Sequence, residues 1–127
     1  MMKNLATKLP DVSHDPGRVM AKAAFNAGRE LGLTQREIAA AIGVSEATVS
    51  RMRDGGYALA GKPYELAVCL VRVFRSLDAI AGGDPDTIRG WMRHDNADLN
   101  GVPRALIATA PGLVSVMAYL DAARAPT

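Results

Sequence analysis

The sequence predicts an all-α protein built from two small helical units, and three observations carry that prediction. Apolar residues recur at spacings of three and four along most of the 127-residue chain. Residues suited to capping stand at the starts of those runs, and no stretch keeps the two-residue rhythm of a strand. The composition agrees, since 49% hydrophobic and 22% charged residues describe an ordinary globule. We divide the chain into a loose arm at residues 1–16, interrupted by Pro10 and Pro16, a first helical unit at residues 17–60 and a second at residues 61–127.

The first helix is expected from Gly17 to Gly32, with Val19, Ala23, Ala24, Ala27 and Leu31 facing inward and Gly32 at the C-cap. A second begins at Thr34, where Glu37, three residues on, completes a capping box, and runs to about Ile42. Gly43 and Val44 break the chain. Ser45 then caps a third helix that ends at Asp54-Gly55-Gly56. Pro63 opens a long helix to Ala81, whose face of Leu66, Leu70, Val73, Phe74, Leu77 and Ile80 is widened by Val68 and Val71, enough to pack on two sides and to help form a dimer core. Asp84-Pro85-Asp86 starts a helix carrying Ile88, Trp91 and Met92, and Pro103 starts a short one that Pro111-Gly112 should stop. The last helix is expected from Leu113 to about Ala123, with Val116, Met117 and Leu120 inward, before a small-residue end.

Charge separates the two units. Residues 1–62 hold nine Lys and Arg against six acids, whereas residues 63–127 hold six Arg against seven acids. A basic first half beside a slightly acidic second suits one unit facing phosphate and another facing something else. A single cysteine, Cys69, cannot close an intramolecular disulfide, and no apolar run approaches the roughly 20 residues that cross a bilayer. With no secretory signal pattern near Lys3 and Lys8, the expected location is the cytoplasm, away from membranes.

The second and third helices carry the chemistry. Two helices that cross steeply over a short turn need a small residue at the crossing and one tolerant of positive φ in the turn, which Ala39 and Gly43 supply. With Ile38, Ile42, Val44, Val49 and Met52 inside, the third helix turns Ser45, Glu46, Ala47, Thr48, Ser50 and Arg51 outward, short or polar groups that a DNA major groove admits. Thr34, Gln35 and Arg36 sit at the start of the second helix, where free amides and the helix dipole favour a backbone phosphate. Arg53 and Lys62 are expected to add phosphate contacts. Glu46 is the odd member of this face: it either accepts from a cytosine amino group or is merely solvated, and sequence leaves both open.

These residues resemble the Xre family of helix-turn-helix repressors, whose TQxEIA start, turn glycine and SxxTVSR stretch match Thr34–Ala39, Gly43 and Ser45–Arg51. The second half resembles the toxin-binding C-terminal domain of MbcA/ParS/Xre antitoxins through Phe74, Trp91, the Asn96, Leu99-Asn100-Gly101 and Pro103 stretch, Gly112-Leu113 and Tyr119-Leu120. Together the resemblances imply an Xre/Cro-like helix-turn-helix unit followed by a small toxin-binding and dimerisation domain. They imply a homodimer that binds operator DNA to repress its own operon, and a cognate RES-domain toxin, of an NAD-consuming class, as protein partner. The family picture has the antitoxin occlude the toxin's NAD cleft with its C-terminal region. In this chain that maps to Tyr119, Asp121, Arg124, Ala125, Pro126 and Thr127, with Asp121 and Arg124 able to pair with charged groups of a nucleotide pocket.

An enzyme is not expected, and neither is a cofactor or a metal. Cys69 lies mid-helix in an apolar run with no orienting group, His94 is alone, and the Asp84/Asp86 pair reads as helix-start decoration. Two rivals remain at this stage: a stand-alone dimeric helix-turn-helix repressor, and a pure inhibitor with a degenerate DNA unit.

Overall fold

A computed structural model describes residues 15–124, in which seven helices follow one another and strand pairing among the described residues is limited to one isolated bridge, Asn96 with Gly101. The helices are α1 (Pro16–Glu30), α2 (Gln35–Ile42), α3 (Glu46–Arg53), α4 (Gly61–Ile80), α5 (Pro85–Arg93), α6 (Pro103–Leu106) and α7 (Ala110–Arg124). The expected arm falls outside the described residues except at its end, where Asp15 caps α1 and Pro16 is already helical.

Capping explains most of the starts. The Asp15 carboxylate accepts from the Gly17 amide at 2.9 Å, Ser45 Oγ accepts from Thr48 at 3.1 Å, and Asp84 accepts from Thr87 at 2.9 Å. Asp84 is thus occupied as a cap, which lowers its pKa chiefly through the Thr87 hydroxyl. The α2 capping box is complete: Thr34 Oγ1 accepts from the Glu37 amide at 3.1 Å while Glu37 Oε1 accepts from the Thr34 amide at 2.8 Å. Gly43 ends α2 at φ +77°, in the left-handed region that a side chain would oppose.

The long helix α4 is the spine. Its most extensive packing is against α7 on one side and α1 on another, with α2 also in contact, so one continuous core runs from Phe25, Ile38 and Val49 through Leu70, Val73 and Leu77 to Leu113, Val116 and Leu120. This is the two-sided packing expected from its wide apolar face.

Several expectations are corrected. Val19 is 48% exposed because it lies opposite the buried stripe of Ala21, Ala24, Phe25 and Gly28, roughly 200° around the helix from Gly17. Phe25, overlooked in the sequence pattern, fills that place. Ile80, expected inward, is 49% exposed in the last turn, past Leu77, the final buried residue of α4. Pro111-Gly112 does not stop a helix but lies in the first turn of α7, where a missing proline N–H costs no bond. Gly112 is required there: a Cβ on it would stand 1.9 Å from the Leu106 carbonyl oxygen.

Candidate nucleic-acid interface and toxin-facing end

The candidate DNA face is formed by the start of α2 and the outward side of α3, and the core fixes it from behind. Ile38, Ile42, Val49 and Met52 are fully buried, and Gly28 lets α1 approach so closely that a Cβ would sit 2.5 Å from Ile38 Cδ1. Two side chains of α1 hold the far end of α3: Arg18 Nη1 donates to the Gly55 carbonyl at 2.8 Å and Lys22 Nζ to the Arg53 carbonyl at 2.8 Å. Cations placed on the carbonyl end of α3 also oppose the negative pole of its dipole.

On this face Thr34, Arg36, Ser45, Glu46, Ala47, Arg51 and Arg53 are exposed, and Gln35 and Ser50 are half-buried. Ser50 Oγ donates to Gln35 Oε1 at 3.1 Å, which ties the first residue of α2 to the middle of α3. Thr48 does not face outward as expected; it is 7% exposed, and its Oγ1 accepts from Ser45 Oγ at 3.0 Å and from Arg51 Nη2 at 3.2 Å. Residues 48, 49 and 52 form the buried stripe of α3, so the hydroxyl serves the cap rather than a groove.

Glu46 acquires a partner that sequence did not suggest. Arg36 Nε stands 3.6 Å from Glu46 Oε2, across the turn between the two helices, so the carboxylate is partly offset by a cation on the same surface. Arg51 lies back along its own helix, with its guanidinium carbon 5.5 Å from the centre of the Tyr57 ring. Arg53 pairs with Asp54 at 3.0 Å, a contact that raises the arginine pKa and lowers the aspartate's. It also lines a hollow with Phe25, Arg29, Leu33, Gln35 and Ile38, which brings a second guanidinium, from α1, beside the start of α2. Arg29 was missed because it reads as an ordinary C-terminal charge of its helix. Lys62 is engaged elsewhere, with Glu65 at 3.2 Å, on an apolar groove lined by Leu66, Cys69, Ala110, Pro111 and Val114.

The other end of the molecule is organised around α7. Asp121 pairs with Arg72 and accepts from Ser76 Oγ at 2.9 Å, and Arg124 Nη1 donates to the same Ser76 oxygen at 3.3 Å. The buried Ser76 hydroxyl thereby joins α4 to α7 with its hydrogen-bonding groups satisfied. Asp121 and Arg124 are therefore held within the chain, while Ala125, Pro126 and Thr127 lie outside the described residues. Tyr119 stacks on Trp91, with ring centroids 6.3 Å apart, and donates its hydroxyl to Asp98 at 2.8 Å, a bond that raises the phenol pKa.

Asp98 belongs to a tight loop in which Asn96 and Gly101 exchange backbone bonds at 2.9 and 3.2 Å, Asn96 Oδ1 accepts from Leu99 and Asn100 sits at φ +62°. That geometry accounts for the Asn96…Leu99-Asn100-Gly101 stretch, since asparagine accepts local bonds and tolerates the left-handed region.

Among the described residues no group of three or more His, Cys, Asp or Glu is placed to hold a metal ion, and no helix is long and apolar enough to cross a membrane. Residues 11–72 match the family model of the antitoxin Xre-like helix-turn-helix domain. Residues 76–125 match that of the antitoxin Xre/MbcA/ParS C-terminal toxin-binding domain. No curated protein matches the chain significantly.

Proposed function

The chain belongs to the Xre-type antitoxins, and from that premise we propose that it neutralises a RES-domain, NAD-consuming toxin by occluding the toxin's active site while its helix-turn-helix binds operator DNA and represses its own operon. The observation that carries this reading is the union, in one continuous core, of a capped helix pair with cations on its outer face and a helical unit matched to a toxin-binding domain.

For DNA, the free amides at the start of α2 and the guanidinium groups of Arg36, Arg53 and Arg29 take backbone phosphates, while Ala47, Ser50 and Arg51 approach base edges. Arg51 has to leave the Tyr57 ring to reach a guanine, a modest cost for an exposed cation–π contact. A second copy completes the reader, because a two-fold dimer matches a palindromic operator with half-sites about 34 Å apart. The groove between α4 and α7 is our dimer face: it is apolar along Leu66, Cys69 and Val114 and carries Lys62 and Glu65, of opposite charge, at its edge. Val114→Asp should then yield monomers in sedimentation, and unchanged dimers would remove that face from consideration.

For the toxin, Tyr119, Arg124 and residues 125–127 supply the contact, with Asp121 holding α7 against α4 so that they are presented together. The test is co-expression of a candidate RES protein with the full chain and with a chain ending at Arg124, following growth and cellular NAD. Protection by the first and not the second supports insertion of the end; equal protection removes it. With the full chain, cellular NAD should not fall.

A further inference from the structure

Among the described residues two ion pairs join the matched regions, Arg72 with Asp121 and, across 67 positions of sequence, Arg104 with Glu37. Arg104, on α6, donates from Nε to Glu37 Oε2 at 2.6 Å and from Nη2 to Glu37 Oε1 at 3.0 Å, the two-pronged arrangement that a lysine cannot make. Glu37 is the capping-box residue of α2, at the end of that helix which the DNA reading turns toward phosphate. A carboxylate there satisfies the Thr34 amide but repels a phosphate arriving at the same helix end. Arg104 removes that conflict by neutralising the charge and fixing the side chain in place.

The position of Arg104 is itself well determined. Pro103 is buried, α6 packs on α5 and α7, and the backbone of Gly112 lies directly against the Leu106 carbonyl. The guanidinium thus reports where the toxin-binding domain stands relative to α2.

We propose that Arg104 is a positioning residue for operator binding: from the toxin-binding domain it holds and neutralises Glu37, so that the phosphate-facing end of α2 is competent only while α6 is seated. This rests on the operator-binding reading above. Whatever displaces α6 uncovers a carboxylate on the DNA face and weakens the complex.

The test is a double-variant cycle on the full chain, with wild type, Arg104→Ala, Glu37→Gln and the pair, each titrated with operator DNA over a range of salt and checked for folding by circular dichroism. Glutamine keeps the capping acceptor without the charge. Arg104→Ala is expected to weaken operator binding roughly fivefold or more, the lower range of coupling between sites, with an unchanged salt slope. In the Glu37→Gln background the same substitution should have no effect. Equal affinity of Arg104→Ala and wild type overturns the proposal. So does an equal loss in both backgrounds with the slope reduced by about one, which marks a direct phosphate contact. Should Arg104→Ala melt below the assay temperature, Arg104→Gln is read in its place. Absence of salt-dependent binding by the wild type rejects the DNA reading and this proposal together, whereas binding that ignores Arg104 rejects only this one.

Discussion

The helix pair α2–α3 and the region α5–α7 are stabilised in different ways. In the first, each helix carries its own start signal from a residue three positions away, and the turn is made by one glycine with φ +77°. In the second, α6 has no side-chain cap and only four residues, and its placement depends on Arg104 reaching Glu37 and on Gly112 packing against Leu106. Local signals suffice for the capped helices α2, α3 and α5, whereas α6 depends on a partner far away in sequence. The difference suits the proposed tasks, a rigid DNA-facing pair on one side and a surface held by polar ties on the other.

The largest effect should come from breaking the core of the helix pair. Val49 is fully buried between α3 and its neighbours, so Val49→Asp leaves a carboxylate without a partner and should abolish cooperative melting, a loss of about 3–5 kcal/mol or more. On the other side Gly112→Ala forces a methyl against the Leu106 carbonyl. It should cost about 1–3 kcal/mol of unfolding free energy in denaturant titration and disturb α6 and α7 first, visible as faster amide exchange there.

Of intermediate size is the polar tie of α7. Ser76→Ala removes a buried hydroxyl shared by Asp121 and Arg124 and should lower stability by about 1 kcal/mol in urea unfolding.

The smallest expected effect sharpens the link between the regions. Partial burial pushes the Glu37 carboxyl up, but the Arg104 hydrogen bond, the Thr34 amide and the Arg104 charge together hold it below the ordinary carboxylate value. A carboxyl with a depressed folded pKa stabilises the fold above its unfolded pKa, about 4.3, and loses that contribution as pH falls through the folded value. Wild type should therefore exceed Arg104→Ala by about 0.5 kcal/mol at neutral pH, with the gap closing below about pH 4. A gap that persists into acid would mean that Arg104 contributes through packing instead.

The same contrast decides what could be read from sequence. The all-α class, the cap residues Thr34 and Ser45, the turn at Gly43 and the core positions Ile38, Ile42, Val49 and Met52 were legible because their signals are local. Thr48 was misplaced because an eight-residue helix offers two windings over which polar and buried faces are hard to separate, and its hydroxyl looked suited to a groove. Val19 was favoured over Phe25 by following a single stripe from the wrong starting residue. Pro111-Gly112 looked like punctuation, yet both residues fit a helix's first turn. Neither Arg104 nor Arg29 nor the pairing of Arg36 with Glu46 could be found, since each depends on helices brought together by the fold.

The central claim is that one chain performs two separable tasks from its two ends. Its most direct measurement follows operator occupancy and cellular NAD together, in cells carrying a candidate RES toxin, for wild type, Arg51→Ala and a chain ending at Arg124. The account predicts that Arg51→Ala weakens operator binding and its discrimination from other DNA, by about 1–3 kcal/mol for a lost base contact, while NAD stays protected. It predicts the reverse for the shortened chain. Loss of both activities in both variants, or of neither, would contradict it.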